Sequence, residues 1–264
     1  MTPPALVATD LDGTLLHSDG SVTGRTRAAL TAVEALGATV VFVTGRPMRW
    51  VDELAEHVGD HGLAICSNGG VVYDVHARAV RSFRPIEDAV CLEVVDRLRG
   101  AVPGTTFALE RTDGFAKEPA YRERYALPPD LVVAPMGDLV DGTVVKLLAR
   151  HETLPPETFW AAVEAEVGHL VTTTWSSTGA LVEISGADVT KASTLAVLCA
   201  ELGVPRERVV AFGDMPNDLA MLEWAGASYA MANAHPTVRG LADRTAPPND
   251  ADGVATVLEE LFGL

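Results

Sequence analysis

The sequence predicts an α/β protein: a three-layer core with a parallel β-sheet, into which an α+β domain is inserted. Three observations predict this class. Continuous apolar runs alternate with helical patterns at both ends of the chain, as is typical of parallel strands covered by helices on both faces. This alternation is interrupted in the middle of the chain. Four of the apolar runs end in polar residues, at the positions where parallel sheets bind their ligands.

The first part of the core contains three strand candidates with helices between them. The helix candidate "TGRTRAALTAVEALG" has apolar residues at helical spacing, with Thr23 as the N-cap and Gly37 as the glycine that follows its end. The other candidates are the strands "ALVAT", "ATVVFVTG" and "GLAICSNGG" and the helix "MRWVDELAEHVG". The order strand, helix, strand, helix, strand favours a parallel sheet.

The pattern changes after about residue 84. Helical stretches and short apolar runs then follow each other without the regular strand–helix order, which predicts an α+β insert over residues 84–187. Within it, "LVTTTW" and "ALVEIS" predict a hairpin around "SSTG", whereas the Pro-rich stretch "KEPAYRERYALPPD" fits no element. The core domain would then be discontinuous, with residues 1–83 and 188–264.

The core pattern returns after residue 187. Helices are predicted for "VTKASTLAVLCAELG", "MPNDLAMLEWAG" and "GVATVLEELFGL", and strands for "RVVAFGD" and "ASYAMANA". The last helix candidate is amphipathic and would close the core domain.

Composition and charge exclude several function classes. The 264 residues are 48% hydrophobic and 21% charged, which is enough apolar material for a globular core. The formal net charge of −16 predicts that the protein binds neither nucleic acid nor an anionic membrane. A phosphorylated substrate would also be repelled, so its site must supply positive charge locally.

The N-terminus and the cysteines predict a cytoplasmic protein. The start "MTPPALVATD" has no basic segment of the kind that opens a signal peptide, and no apolar run approaches 18 residues. The three cysteines, Cys66, Cys91 and Cys199, have no paired spacing, which predicts buried, reduced thiols.

Polar residues follow four strand candidates, at Asp10, Thr44, Ser67–Asn68 and Asp214. Because ligands of open parallel sheets bind beyond the carboxyl ends of the strands, these side chains are expected to meet in one site. Lys191 falls in the first turn of a predicted helix, where the helix dipole disfavours a cation. We therefore expect an anion, either a carboxylate or a bound phosphate, to hold this lysine.

The stretch "VATDLDGTLL" places Asp10 and Asp12 one residue apart directly after a buried strand. If strand geometry continued through both, their side chains would point to the same face. Two carboxylates about 4 Å apart repel by about 4 kcal/mol at an effective dielectric constant near 20. A positive group or a proton is therefore expected beside them.

Each of these residues alone has a structural alternative. Asp10 and Asp12 fit an exposed turn or a calcium loop, and Asn68 fits a tight turn before two glycines. The remaining candidates fit helix caps or, for the lysine, a solvated surface position: Thr44, Lys191, Asp214 and Asp218.

The motifs taken together resemble a known family. "DLDGT", "VTGR", the isolated Lys191 and "GDMPND" resemble, in order and spacing, the four motifs of the haloacid dehalogenase-like phosphohydrolases. "SNGG", "ANAHPTVRGLAD" and "PPNDADGV" resemble the Cof-type branch, and the insert resembles the larger cap of that branch. The resemblance implies a Rossmann-like core whose inserted cap acts as a lid and favours small substrates.

The resemblance implies a phosphatase with an aspartyl-phosphate intermediate. Asp10 would be the nucleophile, and Asp12 the general acid and then the general base. The phosphoryl oxygens would be bound by Thr44, the Gly45 amide and Lys191. Asn68 and Asn217 would contact the phosphate or the loops around it.

The candidate metal ligands are all oxygens, which favours Mg²⁺ over zinc. They are the carboxylates of Asp10 and Asp214, the backbone carbonyl of Asp12 and, directly or through water, Asp218. A divalent cation, together with a proton on Asp12 and the charge of Lys191, would bring the site close to neutrality.

Two other functions stay open. A phosphomutase would need a cap that holds a bisphosphate, and the basic residues of the insert do not decide this: Arg111, Lys117, Arg122, Arg124, Lys146 and Arg150. A non-enzymatic phospho-acceptor like a receiver domain also combines aspartates, Mg²⁺, Thr and Lys, but Asp12 and the cap favour the enzyme. The expected partner is a small phosphate ester such as a sugar phosphate, and the oligomeric state is left open.

Overall fold

The computed structural model describes residues 3–52, 62–123, 126–175 and 179–264. The chain divides into two compact units. The core unit comprises Met1–Arg81 and Thr190–Leu264, and the inserted unit comprises Ser82–Val189. Each junction lies two residues from the position that the sequence pattern indicates.

The described residues form strands that are numbered here in chain order. They are β1 (Leu6–Thr9), β2 (Thr39–Val43), β3 (Leu63–Cys66), β4 (Val71–Asp74), β5 (Ala79–Phe83), β6 (Thr106–Arg111), β7 (Gly114–Lys117), β8 (Val132–Val133), β9 (Val144–Arg150), β10 (Thr172–Thr174), β11 (Leu181–Ser185), β12 (Val209–Gly213), β13 (Ala227–Met231) and β14 (Arg244–Ala246).

The helices with both ends in the described residues are numbered in the same way. They are α1 (Gly24–Ala35), α2 (Asp88–Ala101), α3 (Met136–Leu139), α4 (Pro156–Val167), α5 (Lys191–Leu202), α6 (Leu219–Trp224), α7 (Pro236–Leu241) and α8 (Gly253–Phe262). Another helix begins at Met48, and the part of the predicted "MRWVDELAEHVG" helix beyond residue 52 lies outside the described residues. Among the described helices, none is long and apolar enough to cross a membrane.

The core sheet has the strand order β14–β13–β12–β1–β2–β3–β4–β5. Every adjacent pair from β14 to β3 is parallel, as predicted. β1 lies between β12 and β2, and all four of its residues are buried, which accounts for its unbroken apolar sequence. The carboxyl ends of these three strands therefore lie side by side at one edge of the sheet.

One edge of the core sheet departs from the parallel pattern. β4 is antiparallel to β3, because the short turn at Ser67–Gly69 reverses the chain without a crossover helix. Neither β4 nor β5 was predicted from the sequence. The pattern of β5 offers little signal, since all five of its residues are exposed, whereas β4 is a short, mostly buried run directly after the turn.

The ends of two core helices follow from local chemistry. The Thr23 hydroxyl accepts a hydrogen bond from the Thr26 amide at the start of α1, and Gly37 after its end has φ +88°, as predicted. At the start of α5, the Thr190 hydroxyl accepts from the Ser193 amide and the Ser193 hydroxyl accepts from the Thr190 amide. This reciprocal cap places Lys191 at the first position of the helix.

The inserted unit is an α+β domain with a second sheet of order β10–β11–β9–β6–β7–β8. β10 and β11 are antiparallel, which confirms the predicted strand pair, and residues 176–178 of the predicted turn "SSTG" lie outside the described residues. Helices α2 and α4 pack against each other, and both contribute to the main apolar cluster of this unit. Buried charges also occur here, with Lys146 Nζ 2.5 Å from Glu183 Oε1.

Candidate active site

The chain leaves the central strand through a tight helical turn. β1 ends at Thr9, and the turn spans Leu11–Leu15 with Gly13 at φ +73°. A Cβ atom at Gly13 would lie 2.3 Å from Asp214 Oδ2. Glycine is therefore required here both by the left-handed backbone and by the close approach of the loop after β12.

The two aspartates after β1 point to different environments. The strand ends before both of them, so the condition under which Asp10 and Asp12 would share a face is not met. Asp10 is 5% exposed, whereas the side chain of Asp12 is 61% exposed. The positive charge that the sequence led us to expect is provided by two residues. Lys191 Nζ lies 2.9 Å from Asp10 Oδ1, and Arg46 binds both carboxylate oxygens of Asp12.

The buried cluster brings together carboxylates from distant parts of the chain. Asp10, Asp214 and Asp218 each offer a carboxylate oxygen within 4.8 Å of the other two. Lys191 donates to Asp10 Oδ1 at 2.9 Å and to Asp218 Oδ1 at 2.6 Å. Lys191 is fully buried, and the anions expected to hold it are these two carboxylates. With all groups ionised, one ammonium leaves two negative charges uncompensated.

This charge imbalance is reflected in the pKa values. Burial raises the pKa of Asp10 well above its ordinary value, against the opposing effect of Lys191. Burial and the neighbouring Asp218 raise the pKa of Asp214 to about 7, although the Thr14 hydroxyl donates to its Oδ1 at 3.0 Å. Burial alone would lower the pKa of Lys191, but the carboxylates of Asp10 and Asp218 outweigh it and raise that pKa. Lys191 therefore stays an ammonium, and the excess negative charge requires a further cation or protons.

Asp218 is held in place at both carboxylate oxygens. Its Oδ2 accepts hydrogen bonds from the amides of Asp214 and Met215, both at 3.0 Å, while its Oδ1 accepts from Lys191. The capping role considered for Asp218 is therefore real, and it coexists with the contact to Lys191. Both oxygens of Asp218 are thus engaged, and Asp218 also belongs to the group of carboxylates that could hold a cation.

The loop after β2 places a buried hydroxyl beside the central strand. Thr44 is fully buried and accepts a hydrogen bond from the Arg46 amide at 3.0 Å, which leaves its own proton available for donation. Gly45 follows it at a bend. The Thr44 carbonyl accepts from the Asn68 amide at 3.0 Å, so the loops after β2 and β3 are tied together.

The loop after β3 has a strained backbone. Ser67 and Asn68 are both buried and adopt φ +53° and +55°, a region that costs non-glycine residues energy. Asn217 Nδ2 donates to Asn68 Oδ1 at 3.2 Å. Asn217 Oδ1 is buried and has no hydrogen-bond partner in the described part of the chain. A ligand or a cation at this position would satisfy that atom.

The cluster fits a hard divalent cation. Its donors are carboxylate oxygens, with no thiolate or imidazole in the group that the described residues form. Such oxygen donors suit Mg²⁺ rather than zinc. The excess negative charge and the raised pKa of Asp214 are both relieved by a cation bound to this cluster.

Sequence reasoning missed several residues that shape this site. Arg46 was part of a motif but had no role assigned. Asn233 Nδ2 donates to the Gly13 carbonyl at 2.8 Å, and its Oδ1 accepts from the Asn249 amide at 3.0 Å. The Asp214 carbonyl accepts from the His235 amide at 2.8 Å. For Asn233, His235 and Asn249, the only sequence signal was that the stretches containing them resemble the Cof-type branch.

The family comparison covers almost the whole chain. Residues 7–258 match the model of the haloacid dehalogenase-like hydrolases. The chain is 30% identical to the 5-amino-6-(5-phospho-D-ribitylamino)uracil phosphatase YitU of Bacillus subtilis, over 100% of this chain and 99% of that protein. It is 28% identical to the pyridoxal phosphate phosphatase YbhA of Escherichia coli, over 95% and 96% of the two chains.

A solved structure extends the comparison to the fold. The structure of SMU.1108c from Streptococcus mutans superimposes with a TM-score of 0.85 at 21% identity, over 99% of this chain and 100% of that one. At this identity the likeness concerns the fold alone. It covers both the core unit and the inserted unit.

Proposed function

We propose that this chain, which belongs to the haloacid dehalogenase-like hydrolase family, is a Mg²⁺-dependent phosphatase that hydrolyses a small phosphorylated metabolite through an aspartyl-phosphate on Asp10. One observation carries the proposal. Lys191 and Asp10 are 181 positions apart in the chain, yet they form a buried ion pair inside a three-carboxylate cluster.

The first half-reaction transfers the phosphoryl group to the protein. A carboxylate oxygen of Asp10 attacks phosphorus, and the bond between phosphorus and the ester oxygen breaks. Asp12, in its protonated form, gives its proton to that oxygen, so the alcohol leaves neutral. The exposure of Asp12 suits a group that exchanges its proton with solvent, whereas the burial of Asp10 suits a nucleophile shielded from water.

The second half-reaction releases phosphate. The Asp12 carboxylate takes a proton from a water molecule whose oxygen attacks phosphorus, and the bond from phosphorus to Asp10 breaks. Asp10 is then a free carboxylate and Asp12 is protonated again, so the cycle closes. An acid two residues after the nucleophile favours this hydrolysis and thus turnover, which distinguishes the proposal from a stable phospho-acceptor.

The other site residues bind and orient the phosphoryl group. Lys191 neutralises its charge and keeps Asp10 oriented, while the Thr44 hydroxyl and the Gly45 amide donate to its oxygens. Asn68 and Asn217 contact the phosphate or hold the loops around it, and the hydrogen bond between their side chains ties those loops together.

Mg²⁺ would be held by Asp10, Asp214 and the backbone carbonyl of Asp12, with Asp218 reaching it through water. When bound, the cation supplies positive charge that stabilises the transferred phosphoryl group. The free, buried cysteines Cys66, Cys91 and Cys199 fit a reaction in the reducing cytoplasm.

The substrate class is a small phosphate monoester with an alcohol leaving group. The relatives described above are named for two different esters, a ribitylamino-uracil phosphate and pyridoxal phosphate. A panel should therefore contain both, together with sugar phosphates, and rank them by kcat/KM.

The direct test is turnover of p-nitrophenyl phosphate with Mg²⁺. We expect many turnovers per protein molecule, with loss of activity on chelation and recovery on addition of Mg²⁺. Asp10→Asn should lower kcat by about 10³-fold or more, because no nucleophile remains. Glu259→Gln, an isosteric change in the exposed pair with Arg25, is the matched control and should retain activity.

Three outcomes would contradict the proposal. A single stoichiometric phosphorylation would indicate a phospho-acceptor, and an isomerised sugar phosphate without release of phosphate would indicate a phosphomutase. Full activity of Asp10→Asn would remove Asp10 as the nucleophile.

A further inference from the structure

Arg46 connects three loops of the core unit. Its Nε and Nη2 donate to the two carboxylate oxygens of Asp12 at 2.7 and 2.5 Å. Its amide donates to the Thr44 hydroxyl at 3.0 Å, and its carbonyl accepts from the Ser67 amide at 3.0 Å. Arg46 lies in the loop after β2, its side chain binds the loop after β1, and its carbonyl accepts from the loop after β3.

The Asp12 side chain depends on this contact for its position. It is 61% exposed, and it extends from a residue with non-helical backbone angles inside a tight turn. Within the described ranges, Arg46 is the residue to which the Asp12 carboxylate is hydrogen-bonded. An exposed aspartate without such a partner samples several rotamers, and its carboxyl group would then meet a substrate in only some of them.

We propose that Arg46 is a positioning residue. It holds the Asp12 carboxyl group at a fixed position relative to Thr44, so that Asp12 delivers its proton to the leaving oxygen. This inference rests on the proposed function, because it assumes that Asp12 is the general acid. In the structure both oxygens of Asp12 accept from Arg46. For proton delivery one oxygen must turn to the substrate while the other keeps its bond to the guanidinium.

A guanidinium suits this task better than an ammonium. Its planar fork offers two parallel donors, so one bond is retained while the other is released, and the direction of the carboxyl group is preserved. Lysine would supply the charge but no fixed direction. We therefore expect Arg46→Lys to rescue part of what Arg46→Gln loses.

The proton transfer affected is that of the first half-reaction. The bond between phosphorus and the ester oxygen breaks, and the proton of Asp12 goes to that oxygen. A basic leaving group needs this proton, whereas an acidic phenol leaves as its anion without it. The dependence of the rate on the leaving group therefore reports the position of Asp12, and a merely structural role of Arg46 would not change it.

The experiment compares phenyl phosphate with 2,4-dinitrophenyl phosphate for the full-length protein with Mg²⁺. The quantity measured is kcat/KM, which covers the steps up to release of the phenol and excludes the later hydrolysis. We expect Arg46→Gln to lower kcat/KM for phenyl phosphate by about 30-fold and for 2,4-dinitrophenyl phosphate by less than about 3-fold. Arg46→Lys should fall between wild type and Arg46→Gln with phenyl phosphate.

Arg25 provides a matched control. Its Nε and Nη2 donate to the two carboxylate oxygens of Glu259 at 2.9 and 2.5 Å, in the same bidentate arrangement. Arg25→Gln removes an equivalent fork from the same unit, outside the catalytic residues, and should leave kcat/KM for both esters unchanged.

A double-mutant comparison with Asp12→Asn completes the test. If Arg46 acts through Asp12, adding Arg46→Gln to Asp12→Asn should cause no further loss with phenyl phosphate. Equal losses with both esters in Arg46→Gln would overturn the inference, because they would indicate direct binding of the phosphoryl group. The inference is overturned as well if Arg46→Gln lowers kcat/KM for phenyl phosphate as much in the Asp12→Asn variant as in wild type.

Failure of this inference is distinguishable from failure of the proposed function. Suppose that wild type turns over both esters and that Arg46→Gln lowers kcat/KM by the same factor for both. Then only the role of Arg46 is wrong. If wild type with Mg²⁺ turns over neither ester, the proposed function fails and the inference fails with it.

Discussion

The buried cluster around Lys191 and the exposed pair of Asp12 and Arg46 differ in charge balance. The cluster has an excess of negative charge, whereas the pair is neutral. In the cluster, three carboxylates face one ammonium in the protein interior, and the pKa values of Asp10 and Asp214 are raised. In the exposed pair, one carboxylate faces one guanidinium close to solvent. Asp10 and Asp12 are only two residues apart, so the turn that begins at Leu11 rather than sequence distance creates this difference.

The contrast suits the different roles that we propose for these two similar side chains. An interior cluster with excess negative charge requires a cation or protons, and a bound cation would prepare the proposed site for a phosphate dianion. A balanced pair near solvent needs no metal to neutralise it. Environments that separate two carboxyl groups in this way are a recurrent means of assigning nucleophile and proton carrier.

The largest expected effect comes from removing the ammonium of the cluster. Lys191→Met leaves three carboxylates without their buried counter-ion and leaves Asp10 without an orienting donor. We expect kcat for p-nitrophenyl phosphate to fall by about 10³-fold, which corresponds to about 4 kcal/mol of activation free energy. Steady-state kinetics with saturating Mg²⁺ measure this, and circular dichroism confirms that the variant is folded. A folded Lys191→Met protein with near wild-type kcat would contradict the role of the cluster.

Next in size is the effect of pH on the protein without metal. The pKa of Asp214 is about 7 in the folded state against an ordinary value of 3.8, and that of Asp10 is raised as well. Between these values the unfolded chain binds fewer protons than the folded one, so the free energy of unfolding falls as the pH rises. In the presence of a chelator, the melting temperature should therefore decline from pH 5 to pH 8.

Added Mg²⁺ should reverse this decline. At 100 times its dissociation constant a ligand stabilises the folded state by about 2.7 kcal/mol, and the cation competes with protons for the cluster. The stabilisation by Mg²⁺ should therefore be larger at pH 8 than at pH 5, and Asp214→Asn should abolish most of it. Thermal unfolding at both pH values provides the measurement, and stabilisation of Asp214→Asn equal to that of wild type would exclude Asp214 as a ligand.

The sequence was sufficient for the parts of the site that strand order dictates. The apolar runs of β1, β2 and β12 predicted parallel strands, and their polar ends predicted a shared site. The misfit of Lys191 at a helix start predicted an anionic partner, because the rule involved is local. By contrast, the direction of Asp12 depends on where β1 ends and on the backbone of the turn that starts at Leu11, which apolar patterning does not report. The role of Arg46 was missed for the same reason, since its contact with Asp12 joins the loops after β1 and β2.

The smallest expected effect is on stability, and it tests whether the exposed pair differs from an ordinary surface ion pair. Arg46→Gln and Arg25→Gln both remove a bidentate bond at least partly open to water, where screening keeps such pairs weak. We expect each variant to change the melting temperature by no more than about 2 °C, measured with a chelator present. The two arginines should then be alike in stability and differ only in their effect on leaving-group dependence. A much larger loss of melting temperature in Arg46→Gln than in Arg25→Gln would mean that Arg46 holds the three loops together structurally, in addition to positioning Asp12.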